Sequence, residues 1–228
     1  MAFAPVFGRV FPATFDRRAA VAAAAADWWE VAGKTCVAAY QPKGAASLSA
    51  SYTNLANPGT YDAAPGTAPS FDGETGWTFN GSTQYLTTGV VPAFSGGQSA
   101  WTILVQFSGA STDGGTLAGQ FTGGARFELQ ARALYSDNHY YHNGESVYVS
   151  NRLASGNMAV AGAQGYLDGT ADGSAIAAGY ATTALDIWIA NRNGAADFYA
   201  GNIQAVAIYS DTLTSGQVAT LSAAMAAL

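Results

Sequence analysis

The chain has 228 residues, of which only 11% are charged, and its formal net charge is −6. This acidic balance, with Lys34 and Lys43 as the only lysines, excludes the clustered cations that nucleic-acid binding requires. The single cysteine, Cys36, excludes an internal disulfide framework and a thiolate metal cage. We expect Cys36 to pack as a small apolar side chain on an early strand.

The first sixteen residues form a phenylalanine-rich arm. Its four phenylalanines are spaced as on one face of a helix, at Phe3, Phe7, Phe11 and Phe15. Two prolines and a glycine interrupt this spacing, so a regular helix is not predicted. Because four phenylalanine rings would be costly to leave in water, we expect the arm to dock, either on this chain's own domain or on a neighbouring subunit.

A short helix is predicted from Arg17 to Val31, because Asp16 can cap it and the alanine run that follows has a high helix propensity. Trp28 and Trp29 near its end are large apolar anchors. They serve either in assembly or in core packing beneath the edge of the following domain. We therefore interpret residues 1–35 as an anchoring and assembly segment, and we expect an oligomer.

Neither a secretion signal nor a membrane span is predicted in this segment. The apolar run Ala19–Ala26 is short and lacks leucine, and Asp27 stands where a cleavage site would fall. The run is also far below the roughly 20 apolar residues that a membrane span needs. We expect that the protein, if it leaves its cell, does so without a signal peptide.

From Cys36 to Leu228 the pattern changes to short apolar runs separated by Gly, Asn, Asp and Ser. Apolar residues alternate with others in Ile103–Phe107 and Phe127–Leu129, as expected of half-buried strands. Asn-Gly and Asp-Gly pairs between the runs favour tight hairpins. The pattern predicts an all-β domain over residues 36–228. Its strands are predicted at 77–79, 84–88, 101–107, 126–131, 146–149, 158–167, 175–177, 187–190 and 203–209, with a terminal helix at 215–228 capped by Thr214.

Five short motifs follow one another within residues 37–221. They are Phe79–Leu86, Ala100–Val105, Tyr166–Gly169, Ile187–Arg192 with Phe198–Ile203, and Ala205–Thr214. In order and spacing they resemble the strand and turn motifs of laminin G-like domains, which belong to the concanavalin A-like lectin/glucanase superfamily. The resemblance implies an antiparallel β-sandwich of jelly-roll type, here with a short N-terminal helix and a C-terminal helix.

The stretch from Val37 to Ser47, together with Leu55–Gly59, is similar to the openings of phage and phage-derived laminin G-like proteins. This similarity implies a virion component, such as a capsid decoration, tail or fibre protein. Its partners would be other virion proteins or sister subunits. The competing hypothesis is a lectin module that binds carbohydrate and mediates attachment to surface glycans.

The acids and histidines of the chain do not form an enzyme's pattern. Glucanases of this superfamily carry several acids along one strand, one as nucleophile and another as acid/base. Here Asp72 and Glu74 flank a glycine in a predicted turn, and Glu128 stands alone in its strand. A nucleophilic triad needs a histidine near a serine or cysteine, and only His139 and His142 are available. No catalytic residue is predicted.

The stretch Asp137–Asn143 holds the densest chemistry of the chain. Imidazoles and a carboxylate can share Zn²⁺ or a similar ion, and the acids near the Asp-Gly turns could contribute to a calcium site, calcium being the common ion of relatives on this fold. The alternative is a polar hairpin loop whose aromatic rings cover the sheet edge. Candidate metal ligands are Asp137, His139, His142, Asp168 and Asp172, although no cofactor is required.

A glycan site on this domain would combine an exposed aromatic platform with polar neighbours. By composition, the candidates are Arg132, Tyr135, Asn138, Tyr140 and Tyr141. The alternative for each ring is packing within the fold.

Overall fold

The structure is a computed structural model that describes residues 1, 27–93, 100–111, 115–122, 125–131, 138–142, 145–149, 154–177, 184–193 and 196–228. These residues form fifteen strands and two helices. In chain order they are β1 Cys36–Tyr40, α1 Leu48–Ser51, β2 Ala64–Thr67, β3 Ser70–Asp72, β4 Gly76–Asn80, β5 Tyr85–Thr87, β6 Thr102–Ser108, β7 Thr116–Thr122, β8 Ala125–Gln130, β9 Asn138–His142, β10 Glu145–Val149, β11 Gly156–Ala161, β12 Gln164–Leu167, β13 Thr170–Ala171, β14 Trp188–Ile189, β15 Ala200–Tyr209 and α2 Ser215–Ala226.

The strands form two antiparallel sheets. The eight-stranded sheet has the order β13-β12-β11-β6-β15-β4-β3, with β1 paired to β15 as well. The seven-stranded sheet has the order β10-β9-β8-β7-β14-β5-β2. The predicted all-β antiparallel sandwich is confirmed. The non-consecutive order reflects long connections between the sheets, as in Greek-key and jelly-roll folds.

The main core lies between the two sheets. Leu117, Phe127 and Leu129 enter it from the seven-stranded sheet, and Ile103 and Val206 enter it from the other. All five are fully excluded from solvent. Burying a side chain of this size contributes about 1.5–3 kcal/mol, so this layer provides much of the driving force for folding.

A second core lies on the outer face of the eight-stranded sheet, where helix α2 covers it. Val218, Leu221 and Met225 of the helix pack with Leu104 and Tyr209 of the strands. Helix α2 therefore closes one of the two outer faces of the sandwich.

Helix α2 begins after Thr214, as predicted, and Thr214 forms a capping box with Gln217. The Thr214 hydroxyl accepts a hydrogen bond from the Gln217 backbone N–H at 3.3 Å, and the Gln217 side chain accepts one from the Thr214 N–H at 2.9 Å. These two bonds satisfy amides that a helix start otherwise leaves unpaired. None of the twelve residues of the helix is charged.

Residues 27–31 form a turn and not the end of the predicted helix, with the Glu30 N–H donating to the Asp27 carbonyl at 2.8 Å. The Trp28 indole donates to the Gln41 side chain at 2.8 Å, and the Tyr209 hydroxyl donates to the Trp29 carbonyl at 2.7 Å. Both tryptophans are half-buried. Their contacts place them against this chain's own sandwich.

The remainder of the predicted helix, residues 17–26, lies outside the described residues, as do Phe3, Phe7, Phe11 and Phe15. Among the helices in the described part, none is long and apolar enough to cross a membrane. Cys36 stands half-buried at the start of β1, as predicted, and burial raises the pKa of its thiol to about 12.

Several local predictions are wrong, and residues 175–177, predicted as a strand, form none. Residues 138–142 form strand β9 and not a loop, because Tyr140 enters the core. Residues 158–167 form not one strand but the two strands β11 and β12, with Gly162 at a positive φ of 55° between them. Helix α1 was not predicted, and it begins where the Ser47 hydroxyl accepts the Ala50 N–H at 3.1 Å.

Tyr140 connects the two sheets. Its ring lies against Gly165 of β12, where an added Cβ would stand 2.5 Å from the ring carbon Cγ. Its hydroxyl donates to the Asp172 carboxylate at 2.8 Å, in a buried setting that raises the pKa of Tyr140. The residue is fully buried.

We predict that Tyr140→Phe lowers the free energy of unfolding by about 1.5–3 kcal/mol, because it removes a buried hydrogen bond to a carboxylate. Urea unfolding followed by circular dichroism measures this loss. Tyr166→Phe is the matched control, since no hydrogen bond of the Tyr166 hydroxyl is found within the described residues. Equal losses in the two variants would contradict the role given to the Tyr140–Asp172 bond.

Candidate functional site

One row of paired residues crosses the seven-stranded sheet from β5 to β9. In strand order the paired residues are Thr87, Trp188, Gly119, Glu128 and Tyr141. Leu86, Ile189 and Leu129, which neighbour this row along the strands, belong to the core. Because side chains alternate along a strand, the described side chains of the row point outward, away from the other sheet.

Two aromatic rings stack at the β5 and β14 end of this outer face. Tyr85 and Trp188 lie parallel, with an interplanar angle of 3° and a centroid distance of 4.5 Å. The Tyr85 ring also covers Gly66, where an added Cβ would stand 2.0 Å from Cζ. The Trp188 indole donates to Asp186 at 2.8 Å. Both rings are half-buried and are held on several sides, so the pair is a fixed aromatic platform.

Gly119 separates this platform from Glu128. A Cβ at position 119 would lie 2.1 Å from the Cβ of Glu128, so only glycine fits at this point of the ladder. The row therefore has a step with no side chain between the Trp188 indole and the polar groups that follow.

The polar groups beyond the step centre on the fully buried carboxylate of Glu128. The Thr116 hydroxyl donates to its Oε2 at 3.2 Å, and the Gln130 amide donates to its Oε1 at 3.4 Å. Arg192 Nη1 lies 3.4 Å from the same Oε1, and Arg126 Nη1 lies 3.9 Å from it.

Arg192 also pairs with Asp197, so it bridges two carboxylates. Its guanidinium lies 4.5 Å from the centroid of the Phe121 ring, and that of Arg126 lies 4.6 Å from the same centroid. Two arginines and two carboxylates thus share a small region at the edge of the outer face, and their formal charges balance.

Burial raises the pKa of Glu128 to about 7, from an ordinary value near 4.5. Arg192, Arg126 and the Thr116 hydrogen bond act in the opposite direction, because they stabilise the charged form. Asp197 adds a smaller upward effect on the pKa. Near neutral pH the site therefore holds Glu128 partly as the acid and partly as the carboxylate.

The loop residues 190–193 and 196–198 bring Arg192 and Asp197 to the site through an unusual backbone. Ala190, Asn193 and Asp197 have positive φ angles of 65°, 56° and 58°. Asn193 fixes the loop, since its Oδ1 accepts the Phe121 N–H at 2.8 Å. The buried N–H of Ala190 donates to the Leu117 carbonyl at 2.9 Å.

The structure corrects part of the predicted glycan site. Tyr140 is buried between the sheets, so its ring cannot serve as an exposed platform. Tyr141 pairs with Glu128 in the ladder, and Asn138 pairs with Val149 at the other end of β9. The other two candidates, Arg132 and Tyr135, lie outside the described residues.

The predicted metal ligands are distributed over both sheets. His139 and His142 stand on β9, whereas the Asp168 carboxylate accepts the Asn157 N–H at 2.8 Å beside the eight-stranded sheet. Asp172 accepts the Tyr140 hydroxyl, and Asp137 lies outside the described residues. Among the described residues, no group of three or more His, Cys, Asp or Glu side chains could hold a metal ion.

The residues of this site that were not identified from the sequence include Tyr85, Trp188, Arg192 and Asp197. Tyr85 and Arg192 lie within the laminin G-like motifs, which were interpreted as strands and turns. The signal that could have identified them is the register between neighbouring strands of the sheet. Once β14 is placed between β5 and β7, Trp188 falls in the same row as Glu128.

No protein-family model and no curated protein matches the chain. Solved structures do match it. One is Trypanosoma rangeli sialidase in complex with 2,3-difluorosialic acid, at 15% identity and a TM-score of 0.60, over 85% of this chain and 33% of the sialidase. Another is domain 4 of AbnA, a GH43 extracellular arabinanase from Geobacillus stearothermophilus, in complex with arabinotriose. That match has 16% identity and a TM-score of 0.56, over 83% of this chain and 98% of the domain.

These likenesses are below 25% identity and show the fold alone, an antiparallel β-sandwich. The chain spans about a third of the sialidase that it matches, but nearly all of the arabinanase domain.

We predict that Glu128 makes the stability of the chain depend on pH. A carboxyl whose pKa is raised by folding stabilises the folded state below its ordinary pKa, and this contribution is lost as the pH rises to the folded value. The free energy of unfolding should therefore fall by up to about 3 kcal/mol between pH 4.5 and about 7.

In Glu128→Gln this fall should disappear, because the amide does not titrate, whereas Glu74→Gln in an exposed turn should retain it. Urea unfolding at several pH values gives the comparison. The same pH dependence in Glu128→Gln and in the wild-type chain would contradict the assignment.

Proposed function

We propose that the chain is a carbohydrate-binding module whose ligand lies on the outer face of the seven-stranded sheet. The observation that carries this proposal is the fixed Tyr85–Trp188 pair, which stands next to a step at Gly119 and a cluster of arginines and carboxylates. Helix α2 occupies the corresponding face of the other sheet.

This combination of groups suits a sugar. The C–H faces of a sugar ring pack on aromatic side chains, and its hydroxyls need charged or amide groups that both donate and accept. Arg126 can donate and Asp197 can accept, and both keep part of their side chains exposed. The ligand would rest against the aromatic platform, with hydroxyls directed past Gly119.

The match to the arabinanase domain supports a sugar ligand, because that domain was solved with arabinotriose and nearly its whole length is matched. The arabinanase domain is the closer parallel in size, since nearly its whole length is matched. At this low identity the likeness supports the proposal without indicating which sugar binds.

We propose binding without catalysis. A retaining glycosidase places two carboxyl groups about 5–5.5 Å apart, and both must reach the substrate. Glu128 is fully enclosed, and Asp197 is engaged by Arg192. In this role the two acids position Arg192 and do not attack a glycosidic bond.

The virion assignment remains a prediction from the opening segment at Val37–Gly59. The two neighbours described above favour the alternative hypothesis, a carbohydrate-binding module. The two hypotheses are compatible, since a lectin-like domain can be displayed on a particle.

We predict that Trp188→Ala weakens glycan binding by about tenfold or more, because the loss of a central aromatic contact typically has an effect of this size. A glycan array that includes arabino-oligosaccharides and sialylated glycans identifies the ligand. Isothermal titration of the best glycan then compares the variants.

Trp28→Ala is the matched control, because Trp28 is also a half-buried tryptophan but packs with the second core on the other sheet. It should leave affinity unchanged. The proposal fails if no glycan binds, or if Trp28→Ala reduces affinity as much as Trp188→Ala does. Release of sugar from the bound glycan would contradict the non-catalytic role.

A further inference from the structure

An open groove of about 410 Å³ lies between residues 28–32 and helix α2, on the side of the sandwich opposite the proposed glycan face. Trp28 and Val31 line one side, and Gly216, Thr220 and Ala224 line the other. The walls are mostly apolar, which favours a protein segment as the occupant over a charged ligand.

On the helix side, the groove is lined by several small residues and by no charged residue. Gly216, Thr220 and Ala224 are spaced four residues apart, so they form one stripe along α2. The outward side of a surface helix normally carries charged residues, but α2 has none along its length. A helix without a charged side is typically covered by another element, and small residues allow that element to approach closely.

Residues that follow the N-terminal segment form one side of this groove. Residues 28–35 are tied to the sandwich at several points: the Trp28 indole to Gln41, the Trp29 carbonyl to Tyr209, and the Lys34 ammonium to the Thr212 carbonyl at 2.9 Å. Trp28, a lining residue, is separated by only Asp27 from the alanine run Ala19–Ala26.

We propose that Ala19–Ala26 of the same chain packs in this groove against the stripe on α2. The run has eight residues, seven alanines and one valine, and no charge. As a helix it would be about 12 Å long, which is close to the distance that the stripe covers. The short tether at Asp27 gives the run a high effective concentration at the groove, which favours this occupant over a second copy.

Elastase tests the proposal in the full chain, because it cleaves after small residues and the run offers many such sites. Mass spectrometry measures the rate of cleavage within Ala19–Ala26. Thr220→Glu introduces a charge into the groove, whereas Ala223→Glu introduces the same charge at an exposed position of α2 that does not line it. Circular dichroism confirms that both variants remain folded.

We expect Thr220→Glu to speed cleavage of the run by about tenfold, since proteolysis follows the fraction of undocked chain. Ala223→Glu should cleave at the wild-type rate, and all rates should be independent of protein concentration. Equal cleavage of the wild-type and Thr220→Glu chains would overturn the proposal. Protection that grows with protein concentration would also overturn it, because it would assign the groove to a second copy.

Discussion

The side chain of Glu128 is fully buried on the outer side of the seven-stranded sheet, with Arg192 and Arg126 as its ionic partners. Burial favours the neutral acid form of Glu128, and the two arginines act against it by stabilising the carboxylate. Arg192 in turn holds Asp197 and rests on the Phe121 ring. The polar half of the outer face therefore depends on the buried Glu128 and the arginines that surround it.

The two outer faces of the sandwich differ in what covers them. Helix α2 and the turn at residues 28–32 pack on the eight-stranded sheet, so this side uses its apolar surface for the chain's own segments. The seven-stranded sheet carries the stacked aromatic pair and the polar cluster on its outer side. The proposed docking of Ala19–Ala26 and the proposed ligand binding would thus fall on opposite sides of the fold.

The sequence predicted the sandwich well, because alternation, turn residues and the helix cap at Thr214 are local signals. It did not predict the site, because a site on a sheet depends on register between distant strands. Glu128 stands alone in its own strand, yet strand pairing places it opposite Gly119 of β7. Trp188 lies in the next strand beyond, opposite the same glycine. Tyr140 was misjudged for the same reason, since only its pairing with Leu129 reveals that it enters the core.

The most direct measurement is the proton–nitrogen correlation spectrum of the tryptophan indoles during titration with the glycan that binds best. If the ligand lies on the outer face of the seven-stranded sheet, the Trp188 indole N–H, which donates to Asp186, shifts progressively. The Trp28 indole N–H, bonded to Gln41 on the other side, stays in place. A shift at Trp28 with none at Trp188 would contradict a glycan site on that face.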